Sequence, residues 1–286
     1  MRVLVIYFSQ SGGTEKIAKK IQEGINTSAN SCELVKIKKV NLTKLDEYEL
    51  IGLGCPTFFY REPANIQRFI NNLPLKKGKY VFIFASHGSC LGNTFYYMTE
   101  QLKERGYQVI GAFDSYSDSS IQFYPSPMHT HGHPDAQELQ TAQEFGEKIC
   151  SVSEKVRNGQ TNLIPQFELV TDTWWYRDSK VATLDLLRRI SPVFIINEDK
   201  CKKCMTCQEE CPGDAIDINA SPPEIQKEGC IFCWACEKIC PEGAIEADWT
   251  NMRLTFRGNL RKYIKLLKTA EAEGKFRPYV DYQSIK

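Results

Sequence analysis

The chain has 286 residues, of which 42% are apolar, and a formal net charge of +1. This length suits two domains with packed cores, and the near-zero charge argues against nucleic acid as the main partner. A membrane-spanning helix needs about 18 consecutive apolar residues. The sequence contains no such run, so we expect no membrane span.

Apolar runs typical of buried strands alternate with helical patterns through residues 1–150. This alternation predicts an α/β fold: a doubly wound, five-stranded parallel sheet in the order 2-1-3-4-5, with helices on both faces. Its ligand site would lie beyond the carboxyl ends of strands one and three. The predicted strands cover residues 3–8, 32–37, 50–54, 80–85 and 107–113, and the predicted helices cover residues 14–25, 63–72, 93–105 and 134–157.

A glycine-containing loop joins the first strand to the first helix at this predicted ligand site. Backbone N–H groups, hydroxyl side chains and the positive end of the helix dipole together favour a phosphate. The loop lacks a lysine and the G-x-G-x-x-G pattern, which argues against a nucleotide-hydrolysing P-loop and a dinucleotide site. A tight turn before a capped helix is the alternative. The loop residues are Ser9, Gln10, Ser11, Gly12, Gly13 and Thr14.

Two further loops follow strands three and four and would emerge at the same edge of the sheet. The G-x-P-T step at residues 54–57 belongs to the first of them. With these three loops, residues 1–150 resemble the flavodoxin family. The resemblance implies that the first loop holds the phosphate of FMN and that the other two hold its isoalloxazine ring. The residues implied in the two later loops are Pro56, Thr57, Phe58, Phe59, Ser86, His87, Gly88, Ser89, Cys90, Leu91, Gly92 and Asn93.

Histidines stand out at two places in this half of the chain. His87 lies in the third loop, where a cationic or hydrogen-bonding group beside the flavin would favour its fully reduced anion. His129, His131 and His133 alternate just before the last predicted helix. Three alternating residues on a loop seldom bind one metal ion together. Contact with the flavin or with a partner protein is therefore the alternative to a metal site for these histidines.

Residues 159–196 carry aromatic and apolar side chains, unlike a flexible linker. Trp174, Trp175 and Tyr176 come first. A helical spacing of apolar residues follows and predicts one packed helix. This segment would either hold two domains at a fixed separation or cover a substrate. The spaced apolar residues are Val181, Leu184, Leu187 and Ile190.

Eight cysteines form two copies of one pattern, C-x2-C-x2-C-x3-C-P, in which Pro212 and Pro241 follow the last cysteine of each copy. This is the pattern of bacterial two-cluster ferredoxins, in which the fourth cysteine of each copy binds the other cluster. Structural zinc fits this spacing poorly, because its ligands usually come as two separated C-x2-C pairs. Disulfides would need an oxidising compartment, and the N-terminus offers no secretory signal. We therefore predict one 4Fe–4S cluster on Cys201, Cys204, Cys207 and Cys240, and a second on Cys230, Cys233, Cys236 and Cys211.

These patterns divide the chain into a flavodoxin-like domain (1–158), a structured helical segment (159–196), a two-cluster ferredoxin domain (197–249) and a basic extension (250–286). The extension is helical in pattern and either forms a solvated face or docks an acidic redox partner. The whole chain resembles a flavodoxin–ferredoxin fusion, a group found mainly in anaerobes.

That resemblance implies a cytoplasmic protein that passes electrons between two 4Fe–4S clusters and FMN, and so couples one-electron carriers to a two-electron flavin. Its implied partners are redox proteins, either a ferredoxin-type donor or a downstream reductase, and a homodimer is one expectation for its assembly. The alternative is a flavin-dependent reductase whose small substrate lies over the FMN. An enclosed pocket above the flavin would favour the reductase, whereas an exposed ring edge would favour the carrier.

Overall fold

The N-terminal half of the chain forms a five-stranded parallel sheet in the order 2-1-3-4-5, which confirms the predicted fold class. The computed structural model describes residues 1–27, 31–119, 121–124, 126–283 and 285. The strands are β1 (Arg2–Tyr7), β2 (Ser31–Lys36), β3 (Leu50–Pro56), β4 (Lys79–His87) and β5 (Tyr107–Tyr116), and the helices are α1 (Gly13–Asn26), α2 (Ala64–Asn72), α3 (Thr94–Glu104) and α4 (Ala136–Arg157).

Helices cover both faces of this sheet because successive strand residues point to opposite sides. Val3 and Val5 pack with α1 and α4 in one core. Leu4 and Ile6 pack with α2 and α3 in a second core on the other face. Both faces of β3 and β4 are buried, which explains their continuous apolar runs.

Two glycines let α1 and α4 cross closely. A Cβ atom placed on Gly24 would meet the backbone oxygen of Gln143 at 2.0 Å, and one on Gly146 would meet that of Ile21 at 2.2 Å. The backbones of the two helices therefore touch directly, with no room for a side chain between them.

The segment after α4 forms two short helices, α5 (Trp174–Val181) and α6 (Leu184–Ile190), so the prediction of one continuous packed helix was wrong. The hydroxyl of Thr183 accepts a hydrogen bond from the backbone N–H of Leu186 and caps a new helix at this point. Leu187 is buried, whereas Val181 is 63% exposed. α6 therefore packs an apolar side chain against the rest of the chain, whereas the end of α5 leaves one in solvent.

The C-terminal unit is built from short elements around the two cysteine runs. Its strand at residues 194–196 lies before the predicted start of the domain at residue 197 and pairs with residues 245–247. The elements are β6 (Phe194–Ile196), α7 (Thr206–Glu209), β7 (Ile216–Asp217), β8 (Glu224–Ile225), α8 (Ala235–Ile239) and β9 (Ile245–Ala247), followed by α9 (Thr250–Phe256) and α10 (Asn259–Ala272). Within the described residues, no helix combines the length and the apolar character needed to cross a membrane.

Candidate functional site

The loop between β1 and α1 forms an anion cradle. Gly12 adopts a φ of +90°, a left-handed conformation that glycine tolerates without strain, and its N–H donates to Ser9 Oγ at 3.1 Å. A Cβ atom on Gly13 would lie 1.9 Å from Ser117 Oγ, so any larger residue here would require the Ser117 side chain to move. The first backbone N–H groups of α1 point out of the helix and suit an anion.

This loop borders a cavity, here called the loop cavity, at the carboxyl edge of the sheet. Most of the predicted phosphate-loop residues line it, and residues 117–119 after β5 close its far side. Thr14 Oγ1 and Ser86 Oγ lie 2.8 Å apart and hold the first and third loops together. The predicted residues that line it are Ser9, Gln10, Ser11, Gly13, Thr14, Pro56, Thr57, Phe58, Ser86, His87 and Gly88.

His87 lies at the loop cavity and is paired with a carboxylate. Its Nε2 is 3.0 Å from Asp114 Oδ2, while its buried Nδ1 finds no partner among the described residues. Burial alone would raise the pKa of Asp114, but the hydrogen bond and charge of His87 lower it below its usual value. The third loop contains no carboxylate, yet the fold supplies one from β5.

A larger cavity of about 380 Å³, here called the interdomain cavity, continues from the loop cavity. The two share Gln10, Thr57, Phe58, Gly88 and Ser119 in their walls. The second wall of the interdomain cavity comes from α5, α6, α9 and α10, and residues 232–234 form part of its lining. The predicted ring-binding residues that line it are Thr57, Phe58, Phe59, Gly88, Ser89 and Cys90.

The remaining predicted flavin residues lie away from both cavities and support the loops instead. Gly92 has a φ of +60°, and a Cβ atom there would collide with Tyr60 at 2.4 Å. Both polar atoms of the Asn93 amide hydrogen-bond the backbone of Val170, at 2.9 Å and 3.0 Å. This contact fastens the segment before α5 to the third loop. Gly12 and Leu91 complete this group.

The three alternating histidines point to three different environments. His129 is buried beside Tyr263, His131 Nδ1 lies 3.2 Å from Asp118 at the surface, and His133 Nδ1 lies 2.8 Å from Glu138 Oε2. His133, Asp135 and Glu138 do gather. Their polar atoms, however, hydrogen-bond the first turn of α4 and the C-terminal residues Arg277 and Tyr279.

The eight patterned cysteines line two small pockets. One pocket is lined by Cys201, Cys204, Cys207 and Cys240, and the other by Cys207, Cys211, Cys230, Cys233 and Cys236. One zinc ion would bring its sulfur ligands to within about 4 Å of one another. Among the described residues, the group of potential ligand atoms lying mutually within 4.8 Å contains none of these cysteines. No three of these cysteines therefore lie as close together, among the described residues, as a single zinc ion would hold them.

Direct hydrogen bonds join the first loop and its neighbours to the second cysteine run. The Gln10 side chain donates to the backbone oxygen of Cys233, and the Gln122 side chain donates to that of Trp234 at 2.7 Å. On the other side, Lys38 Nζ donates to the backbone oxygen of Cys211 at 2.9 Å. Ile231, Cys233 and Ala235 pack into the same core as β3 and α3.

Several cavity residues were missed by the sequence analysis. Ser119, Ile121, Phe123 and Tyr124 follow β5, and the rule that ligands bind beyond the carboxyl ends of parallel strands could have included this fourth loop. Tyr263 lies on α10, far along the chain, and local pattern offers no signal for its approach to the cavity.

Comparisons with known proteins agree with this architecture. Residues 5–124 match the flavodoxin family and residues 194–241 match the 4Fe-4S dicluster domain. The chain is 26% identical over 163 residues to an uncharacterized protein of Methanocaldococcus jannaschii, covering 52% of this chain and 98% of that protein. It is 27% identical over 151 residues to a flavodoxin of Clostridium beijerinckii, covering 52% and 99%. A solved flavodoxin from the domain Archaea aligns with a TM-score of 0.43 and 24% identity, over 55% of this chain and 99% of that structure.

A flavodoxin domain implies FMN, and a dicluster domain implies iron–sulfur chemistry. The chain therefore carries a flavodoxin domain at its N-terminus and a 4Fe-4S dicluster domain at its C-terminus, an arrangement that is consistent with a flavodoxin–ferredoxin fusion and supports an electron-transfer flavin and iron–sulfur protein.

Proposed function

We propose that this protein passes electrons within one chain between two 4Fe–4S clusters and FMN, and so couples one-electron carriers to a two-electron flavin. The flavin accepts or donates electrons in pairs and the clusters handle them singly. The domain division proposed from sequence, at 1–158, 159–196, 197–249 and 250–286, assigns the flavin to the first part and the clusters to the third.

The residues present fit FMN. Backbone N–H groups at the start of α1, with the Ser9, Ser11 and Thr14 hydroxyls, suit its phosphate in the loop cavity. The continuous path into the interdomain cavity leaves room for the ring against Phe58, Phe59 and residues 88–90. A side chain at Gly13 would displace the side chain of Ser117, which lines the loop cavity.

The cysteines fit two clusters with exchanged fourth ligands. Cys240 lines a pocket with the first three cysteines of the first run, and Cys211 lines a pocket with the first three of the second run. Isoleucines 196, 218 and 245 border the first pocket and exclude water from it. Cys207 lines both pockets, and the other seven cysteines divide between them as the proposed ligand sets do, which supports those sets.

The hydrogen bond from Gln10 to Cys233 carries the proposal. Gln10 belongs to the proposed flavin site and lines both cavities, whereas Cys233 belongs to the proposed second cluster. The two sites are thus in direct contact, and Phe59 touches the Trp234 ring with centroids 6.4 Å apart. A fixed, short separation of redox groups is what transfer within one chain requires.

The test is anaerobic reduction of the holoprotein with rapid freezing, in which electron paramagnetic resonance and absorbance follow clusters and flavin separately. FMN and iron content are measured first. We expect equilibration between clusters and flavin at a rate independent of protein concentration, and Gln10→Ala to slow it several-fold without changing the cluster spectra. Gln22→Ala removes a similar amide-to-carbonyl bond far from the site and serves as the control. A rate proportional to protein concentration would show transfer between molecules and contradict the proposal.

A second candidate function is reduction of a small substrate over the flavin. The observation in its favour is that α5, α6, α9 and α10 wall the interdomain cavity, instead of leaving the ring region open. In either case redox proteins supply or remove the electrons, and we propose a ferredoxin-type donor in the cytoplasm. Reoxidation that saturates with a small molecule would favour the reductase, whereas reoxidation by proteins alone would favour the carrier.

A further inference from the structure

The outer wall of the interdomain cavity is made by segments that lie outside residues 5–124 and 194–241, the parts that match the two electron-transfer families. Asp178, Val181, Leu186 and Ile190 reach it from α5 and α6. Met252, Phe256 and Tyr263 reach it from α9 and α10. The wall bounds a partly open space beside the proposed ring site, and the side chains that line it indicate what it could bind.

Three tyrosine hydroxyls meet at this wall. Tyr60 Oη lies 3.3 Å from Tyr263 Oη, and Tyr124 hydrogen-bonds the same hydroxyl. The Asn259 side chain also bonds Tyr124 and lowers its pKa, as a donor to the phenol oxygen does. Three hydroxyls carry three protons, and two bonds among them use two. One proton therefore remains to donate to an oxygen outside the cluster. Burial raises the pKa of all three phenols, so they stay protonated at physiological pH.

His129 adds a second unused polar group. It is only 2% exposed, its ring lies 5.7 Å from that of Tyr263, and its Nδ1 has no hydrogen-bond partner among the described residues. Burial lowers its pKa to about 4, so the ring is neutral at physiological pH. An unpaired polar atom inside an apolar wall indicates a binding site better than plain packing does.

The charges at the cavity cancel one another. Lys262 Nζ lies 3.5 Å from Asp178 Oδ2 and 4.8 Å from the centre of the Trp174 ring. The rest of the lining is dominated by aromatic and aliphatic side chains. A charged ligand would find no free opposite charge here and would lose its hydration.

We propose that the interdomain cavity binds an uncharged, flat, largely apolar molecule that carries one hydrogen-bond-accepting oxygen, held by the Tyr263 hydroxyl. The proposal rests on the proposed function, because it assigns the inner side of the same cavity to the flavin ring. It specifies the class of molecule that would lie over that ring.

Calorimetry on the FMN- and cluster-loaded protein provides the test, with shifts of the flavin absorption band as a second readout. The probes are 2-acetylnaphthalene, which has one carbonyl oxygen, 2-ethylnaphthalene, which has none, and 2-naphthoate, which is charged. We expect saturable binding of 2-acetylnaphthalene and at least about tenfold weaker binding of 2-naphthoate. Tyr263→Phe should weaken binding of the ketone about 2- to 10-fold and leave that of the hydrocarbon unchanged.

Two tryptophan substitutions test the location. Ala182→Trp fills the cavity and should abolish binding, whereas Leu254→Trp adds the same bulk on the exposed side of α9 and should not. FMN content and cluster spectra confirm that each variant is folded. Absence of saturable binding, or an equal effect of Tyr263→Phe on both neutral probes, overturns the inference. A protein that lacks FMN, or whose clusters exchange no electrons with it, contradicts the proposed function instead.

Discussion

At the residue scale, His87 forms a pair with Asp114 at the loop cavity. Sequence placed it beside the flavin ring, where it would favour the reduced anion. In the structure it lines the loop cavity, which we propose holds the phosphate, and its Nε2 lies 3.0 Å from Asp114 Oδ2. Its influence should therefore fall on binding of the cofactor more than on the redox potential of the ring.

His87→Ala should weaken FMN binding several-fold and shift the flavin midpoint potential little. Fluorescence titration of FMN into the flavin-free protein measures the first quantity, and a redox titration measures the second. His131→Ala, which removes an exposed histidine paired with Asp118, is the control. A large potential shift with unchanged FMN affinity would place His87 at the ring after all.

The ionisation of Asp135 should make the stability of the fold depend on pH. Burial alone would raise its pKa, but hydrogen bonds from the Glu138 backbone, Arg277 and Tyr279 lower it to about 2. An unfolded aspartate titrates near pH 3.9, so the ionised group stabilises the fold above about pH 4, and this contribution is lost as pH falls toward 2.

Asp135→Asn should therefore lower the free energy of unfolding by about 1–2 kcal/mol at pH 7. Thermal unfolding followed from pH 8 to pH 3 should show a constant gap between variant and parent that narrows below about pH 4. Asp185→Asn removes an exposed carboxylate on α6 and should change little. A gap that widens at low pH would show that Asp135 is not ionised in the folded chain.

At the element scale, periodicity predicted the main sheet and its helices because their apolar faces are long and regular. It failed at residues 174–190, where one cap at Thr183 outweighs a continuing apolar pattern and divides the segment into α5 and α6. The cysteine runs predicted the 4Fe-4S dicluster domain that residues 194–241 match, because this spacing is typical of two-cluster ferredoxins. The approach of Tyr263 to the cavity depends on how distant helices pack, which no local pattern encodes.

The α1–α4 crossing gives a prediction of its own. Gly146→Ala forces a Cβ atom against the backbone of α1, so we expect a loss of about 1–3 kcal/mol in the free energy of unfolding. Gly258→Ala is the matched control, because nothing lies within 4 Å of that position and its φ is −70°. Equal melting temperatures for the two variants would mean that the contact between α1 and α4 can accommodate an added Cβ atom.

At the scale of the whole molecule, charge is distributed unevenly although the net charge is close to zero. Residues 250–270 contain six basic and no acidic side chains. Those basic residues are exposed on α9, on α10 or between them, and of the six only Lys262 also lines the interdomain cavity. The basic residues are Arg253, Arg257, Arg261, Lys262, Lys265 and Lys268.

This surface should accelerate encounter with an acidic electron donor. The double variant Arg257→Glu, Arg261→Glu should slow the second-order reduction by an acidic ferredoxin several-fold at low salt, with the difference disappearing at high salt. Stopped-flow absorbance measures the rate, and Lys155→Glu at the end of α4 changes charge elsewhere. A slowdown that persists at high salt would point to damaged packing rather than steering.

The residues after α10 attach the dicluster domain (here called the cluster unit) to the flavodoxin domain a second time. Phe276 stacks on His133 with ring centroids 4.6 Å apart, and Arg277 and Tyr279 bind Asp135, so the chain returns to the flavodoxin domain after leaving it near residue 158. The cluster unit is thereby tethered at both of its ends. A singly tethered carrier must search for its acceptor, but a doubly tethered one keeps a high effective concentration there at all times. Electron transfer would then not wait for a domain to swing.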